Sequence, residues 1–215
     1  MASTYTVGAV LDTVEKKLQD ESNVEWSVSD LLNFYNLALR EIVKLSPRAY
    51  SVFETFKMIS GAKQQLPSDG LVFMDISANM GTDGSTPGRS PRGTTMEVLA
   101  GYLPDWREET AVTEIKNFIP IQQTPNEFWV FPPSDGTGYI QVQFSKTPPT
   151  TTYDANDNYR AETIPISDEY LDAILNGMLY MAYDDDTDIP GNTPRAAQYR
   201  ARFLQSVGMS GGGAA

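Results

Sequence analysis

The chain has 215 residues, no cysteine and no histidine, and a net charge of −12 from 28 acidic and 16 basic side chains. That length suffices for one large domain or a core with a sizeable insertion, able to bury roughly 70% of its unfolded surface without a disulfide or metal staple. Thiol chemistry, cysteine metal sites, imidazole ligands and every Ser-His or Cys-His nucleophile pair are excluded, and the acidic balance argues against a basic clamp on phosphates. An acidic surface that faces DNA without gripping it stays open. The opening MASTYTVGAV lacks the basic residues and long apolar run of a signal peptide, and no stretch approaches the ~20 apolar residues of a membrane span. The expectation is a soluble globular protein, made in the cytosol and free of membrane.

Residues 6–20 carry Val7, Val10, Leu11, Val14 and Leu18 on one narrow stripe and read as a first helix. After a polar turn, Trp26 to Pro47 is the best-specified helix of the chain. Ser27 is placed as N-cap with Asp30 at N3, Trp26 and Leu31 have the spacing of a hydrophobic staple, and Pro47 stops the helix at Ser46. It spans roughly 27 Å. Leu31, Leu32, Tyr35, Ala38, Leu39 and Ile42 follow the helical period, while Phe34 and Leu37 lie off that stripe and call for a second covered surface. The two helices should pack as an antiparallel hairpin.

From residue 52 the pattern shortens. Val52–Ile59 is a strand candidate that turns at 60–63 toward Gln64–Leu66, and Leu71–Ala78 reads as a strand or short helix. Residues 81–93 hold four glycines and two prolines in thirteen positions, so a long mobile loop is expected there. Residues 94–106 admit a helix ending before Pro104. Phe128–Phe131 forms a short strand stopped by Pro132-Pro133, and Tyr139–Ser145 alternates Ile140, Val142 and Phe144 with glutamines as a half-buried strand does. A polar linker over 146–163 returns to helix at Ser167, taken as an N-cap. Tyr170–Tyr183 is apolar nearly all round, and Thr193-Pro194 opens a last helix ending near Gly208.

The resulting expectation is an α+β protein: a four-helix bundle from 1–48 and 164–208, a β-rich subdomain (49–163) inserted between helices 2 and 3, and a flexible tail over 209–215.

Candidate chemistry is sparse. Asp184, Asp185, Asp186 and Asp188 could hold a divalent cation, but no ligand spacing is apparent, and they sit where a helix dipole disfavours negative charge. A solvated helix end, or a wall facing other negative charge, is the plainer reading. Asp154-Ala155-Asn156-Asp157-Asn158 opens like a calcium loop yet places Tyr159 and Pro165 where glycine and the bidentate acid belong. Arg89 and Arg92 suggest a phosphate loop without its G-x-x-x-x-G-K-[ST] pattern, which leaves a contact loop. Tyr102, Trp106, Trp129 and Phe131 read as a sugar platform or as the core of the insertion, the core being the commoner use. A carboxylate-pair glycosidase needs no histidine, but nothing selects two of the 28 acids. No cofactor or metal is expected.

Several stretches together form a pattern: W-S-x-x-x-L-L-x-x-x-N-x-A-x-R-E-I (Trp26 to Ile42), P-x-A (Pro47 to Ala49), Q-Q-L-P-x-D-G (Gln64 to Gly70) and M-G-T-D-G-x-T-P-G-R (Met80 to Arg89). P-D-W (Pro104 to Trp106), P-N-x-F-x-V-x-P-P (Pro125 to Pro133), Y-x-x-A-I-L with M-x-Y-M-A-Y and an acidic end (Tyr170 to Asp188), and Y-x-x-x-F (Tyr199 to Phe203) follow. In this order they resemble the head–tail adaptor, or connector and head completion, proteins of tailed bacteriophages. The resemblance implies a non-enzymatic structural protein of the virion neck, assembled in the host cytoplasm as a homo-oligomeric ring, typically a dodecamer. That ring would join the portal protein to a tail tube or nozzle protein and continue the DNA channel, letting DNA pass during ejection without specific binding. Phe34, Leu37, Tyr180 and Met181 are then candidate subunit contacts, and Asp184, Asp185, Asp186 and Asp188 a candidate channel lining. A C-terminal docking segment would fall on Arg195, Tyr199, Arg202 and Phe203, and Arg89 and Arg92 would serve as a contact loop. The alternative is a carbohydrate- or receptor-binding tail module that uses the β insertion.

Overall fold

The computed structural model describes residues 3–186 and 189–211, the side chains of 209–211 excepted. The chain divides into two units, residues 1–50 with 148–215, and residues 51–147.

The first unit is helical. It holds α1 (Val7–Leu18), α2 (Val28–Leu45), α4 (Leu171–Asp185) and α5 (Asn192–Gly211), with short 3-10 turns at Pro47–Tyr50, Asn158–Ala161 and Asp168–Tyr170. The α2 caps form as the sequence specifies: Ser27 and Asp30 complete a reciprocal capping box, and Ser46 is the C-cap. The preceding turn is held by Asp20, whose carboxylate accepts from the backbone N–H groups of Val24, Glu25 and Trp26. Burial alone would raise its pKa, but these donors outweigh it and keep it below the usual carboxylate value.

The most buried helix is α4, its Ala173, Ile174, Met178, Leu179 and Ala182 being almost wholly covered. Its closest backbone approaches are to α5 and α2, and those of α1 are to α4 and the 158–161 turn, so the expected α1–α2 hairpin is not the main packing. Gly177 makes the close approach possible: a Cβ there would lie 3.0 Å from the Ala38 Cβ and 3.2 Å from the Phe203 ring. Ser167 provides no side-chain cap, contrary to expectation. The neighbouring Asp168 carboxylate is occupied instead by Ser3 and Thr4, which fastens the N-terminal residues to the start of α4. The stretch 148–163 is likewise pinned, with Asn36 and Thr151 exchanging hydrogen bonds of 2.8 and 2.9 Å and Arg160 paired with Asp12.

The second unit carries two sheets. β1 (Ser51–Lys57), β7 (Tyr139–Lys146) and β3 (Gly70–Asn79) form one, with β7 central and both pairings antiparallel. The other runs β2 (Gly61–Gln65), β6 (Glu127–Ser134), β5 (Asn117–Pro120) and the two-residue β4 (Arg92–Gly93), which lies parallel to β5. Ile140, Val142 and Phe144 of β7 face a core shared by both sheets, where Phe73 stacks on Phe128 at 4.3 Å. Residues 58–60, not the expected turn at 60–63, pass the chain from one sheet to the other, and the buried Gln64 amide satisfies the corner by bonding Ile59 and Gly61. At one end of β7, Lys146 bridges Glu54 and Asp69 at 2.7 and 2.8 Å.

Three expectations need correction here. The four-helix bundle with a β subdomain between helices 2 and 3 does not hold: the described residues contain five α-helices and two sheets, and the third helix in chain order, α3 (Met96–Tyr102), belongs to the sheet-bearing unit. It forms because Thr95 caps it by accepting from Val98 N–H and Leu103 closes it before Pro104. Pro132-Pro133 does not stop β6. Both prolines fall where the β2 pairing is interrupted between Gly61 and Lys63, and Pro133 needs only its carbonyl, which accepts from Val112. Residues 209–211, expected in the tail, continue α5 to Gly211; residues 212–215 lie outside the described residues.

Candidate interaction surfaces

Among the described residues, no group of three or more Asp or Glu side chains is placed to hold a metal ion, and no helix is long and apolar enough to cross a membrane. The carboxylate of Asp154 is turned inward on its own loop, accepting from Asn156 and Asn158.

The most organised surface of the helical unit lies where α5 meets α4. Arg195, Tyr199 and Arg202 recur at i, i+4 and i+7 and so share one stripe. Tyr199 stacks on Tyr183 with ring centroids 5.6 Å apart and planes 9° apart. Arg195 lies 5.6 Å from the Tyr183 ring and Arg202 5.5 Å from Tyr199, so the two rings are bracketed by guanidinium groups. Trp26 meets Tyr183 edge-on at 6.5 Å. Both arginines are exposed. From Asn192 to Gly211 the helix carries three arginines and no acid, in a chain whose net charge is −12. Beside the ladder, Leu18, Val24, Trp26, Tyr183, Asp186 and Arg195 line a hollow of about 310 Å³. Phe203, expected with this group, is fully buried and packs on Tyr180 at 5.7 Å; it anchors α5 to the core.

The acidic run divides by environment. Asp184 and Asp185 are exposed at the end of α4. Asp186 is half-buried and structural, its carboxylate and carbonyl both accepting from the Asn192 amide at 2.7 and 3.0 Å. Asp188 lies outside the described residues. Of the candidate subunit contacts, Leu37 is 40% exposed and Phe34 only 8%. Tyr180 and Met181 are half-buried, and the Tyr180 hydroxyl donates to Glu41. Burial, then that carboxylate, pushes the Tyr180 pKa up, so the phenol stays protonated as a donor.

In the sheet unit, the 81–93 segment is fastened rather than loose. The buried Asn79 side chain donates to the carbonyls of Arg89 and Ile115 and accepts from Ile115 N–H, while Ser90 bonds the Ser77 carbonyl. Asp83 ties the tip together through Ser85 and Thr86, whose hydroxyl and backbone donors hold its pKa well below the usual carboxylate range. On this fixed backbone Arg89 and Arg92 are exposed. Three of the four aromatics take the core role expected of them: Trp106 is fully buried against Trp129 and Phe131, and Arg107 lies 4.3 and 4.9 Å from the two indole rings. Tyr102 stands apart and is 81% exposed. Sequence reasoning missed the exposed apolar side of α3, where Val98, Tyr102 and Leu103 face solvent and only Leu99 is buried. The signal was present in Met96–Leu103, whose apolar residues outnumber what one seven-residue helix can turn inward.

A model of the SU10 adaptor protein family matches residues 5–214, and the chain belongs to that family. The match agrees with the resemblance to phage head–tail adaptors drawn from the ordered motifs. Comparison with curated proteins returns no match.

Proposed function

We propose that this member of the SU10 adaptor family is a structural, non-enzymatic protein of the phage neck, assembling as a homo-oligomeric ring that joins the portal to the tail tube or nozzle and continues the DNA channel. The observation that carries the reading is the family match over residues 5–214. The Arg195–Tyr199–Arg202 stripe, with its two arginines exposed and Tyr199 half-buried between them, is the portal contact, and Phe203 anchors the helix that presents it. Leu37, Tyr180 and Met181, backed by Phe34, contribute to the contact between copies. Asp184 and Asp185 face the channel, where negative charge keeps DNA from adhering. Arg89 and Arg92 are presented to the tail on a fixed loop. The sugar-platform alternative has no support, because Arg107 covers the indole rings. Mixing the full chain with its portal and measuring particle mass tests the proposal. A discrete ring-sized increment is expected, and a portal that acquires no such increment under any condition would overturn it.

A further inference from the structure

The proposed ring requires that a face of one copy fit a different face of the next, since a head-to-tail contact pairs unlike surfaces. Copies that each carry −12 repel, so a stable contact needs local charges of opposite sign. Each unit presents an apolar face, and the rims of these two faces differ in sign.

On the sheet unit, Val98 and Tyr102 are one helical turn apart on α3 and 54% and 81% exposed. The turn that follows folds back on the helix, with Arg107 reaching the Met96 sulfur. The acids of this stretch are Glu97 on the helix and Asp105, Glu108 and Glu109 in the turn. All four are exposed, and none enters an ion pair among the described residues. Arg107, the one cation of the segment, is spent on the indole rings.

On the helical unit, the end of α2 and the C-terminal half of α5 border a hollow of about 470 Å³ in which Leu45, Pro47, Leu204 and Val207 meet. Leu45 and Leu204 are each 48% exposed. Arg48 lines the hollow, Lys44 directly precedes Leu45, and Arg200 lies one helical turn before Leu204; all three are exposed and unpaired among the described residues. Arg200 lies close enough to Tyr180 to act on its hydroxyl, which puts it on the side of α5 that faces α2. The nearby acid, Glu41, is engaged by the Tyr180 hydroxyl.

We infer that these two faces are partners: the acid-rimmed α3 of one copy docks into the cation-rimmed α2–α5 hollow of a second copy, Tyr102 entering beside Leu45 and Leu204. The inference rests on the ring reading and specifies its contact. The absence of native cysteine makes the test direct. Full chains carrying Tyr102→Cys and Leu204→Cys are mixed and oxidised, and a covalent heterodimer well in excess of either homodimer is expected. Homodimers of Tyr102→Cys equal to the heterodimer would mean that α3 pairs with itself and would overturn the pairing. As a second arm, Glu108→Lys or Arg48→Glu alone should weaken self-association about tenfold, measured by sedimentation velocity with circular dichroism confirming the fold, and mixing the two should restore it. Rings that form on the portal normally with Arg48→Glu and Glu108→Lys would overturn this contact while leaving the adaptor reading intact. Chains that associate neither with one another nor with the portal overturn both.

Discussion

Phe203 and Arg202 are adjacent on α5 and point to opposite fates, which makes the pair a sharp test of how the last helix is held. Phe203 is fully buried, packs on Tyr180, and fills the space that Gly177 leaves open on α4. Phe203→Ala removes a ring from a site closed by two helices, where collapse is limited, so a loss of about 3–5 kcal/mol is expected. Against a total stability of about 5–15 kcal/mol, that loss detaches or unfolds α5 in a sizeable fraction of molecules. Arg202→Ala removes only an exposed guanidinium 5.5 Å from the Tyr199 ring. Its expected cost is about 0.5–1 kcal/mol. Equilibrium urea unfolding followed by circular dichroism gives the two values, and hydrogen exchange localises them. Peptides from α4 and α5 should lose protection in Phe203→Ala while those from β7 keep it. Equal costs for the two variants would refute the assignment of Phe203 to the core.

Three further outcomes follow from the geometry. The Tyr35 hydroxyl is buried with no hydrogen-bond partner among the described residues, so Tyr35→Phe should leave stability unchanged or raise it by about 1 kcal/mol in thermal unfolding; a loss of that size would reveal a hidden partner. Gly138→Ala would place a Cβ 2.0 Å from the Thr113 carbonyl oxygen, and a destabilisation of about 3 kcal/mol confined to the sheet unit is expected by hydrogen exchange. Asp20 is held below its ordinary value of 3.8, so its contribution is complete above that pH and is lost as the pH falls through the lower folded-state value. An acid titration of Trp26 fluorescence in a chain carrying Trp106→Phe and Trp129→Phe should therefore show a transition that Asp20→Asn abolishes; the same transition in Asp20→Asn would assign it elsewhere.

Much of the helical unit, and β7 of the sheet unit, was legible because the signals are local. The box at Ser27 and Asp30, the stop at Pro47 and the alternation of Ile140, Val142 and Phe144 each depend on neighbours within a few residues. What could not be read depends on distant partners. The stretch Val52–Gln65 contains no sign that its two strands belong to different sheets, because that is decided by whether β7 or β6 lies alongside. The prolines of β6 are tolerated only because the β2 register shifts opposite them. The 81–93 segment has the composition of a loose loop, and its anchorage depends on Asn79 and Ser77 outside it, with Asp83 tying its tip. The same limit applied to the contact residues. Arg202 and Phe203 looked equally available in sequence, and only the position of Tyr180 separates them.

The way the sheet unit is strung into the chain has a mechanical consequence. It is entered at Ser51, the first residue of β1, and left just after Lys146, the last of β7, and these strands pair with Ser51 opposite Ser145. Tension applied through the two connections would therefore open the β1–β7 ladder like a zipper, one rung at a time, rather than shear all its hydrogen bonds together. Zippers yield at lower force than sheared strands, but this one has a clasp. Lys146 grips Glu54 and Asp69 at the loaded end, so the first rungs to be pulled are the ones tied across three strands by charge.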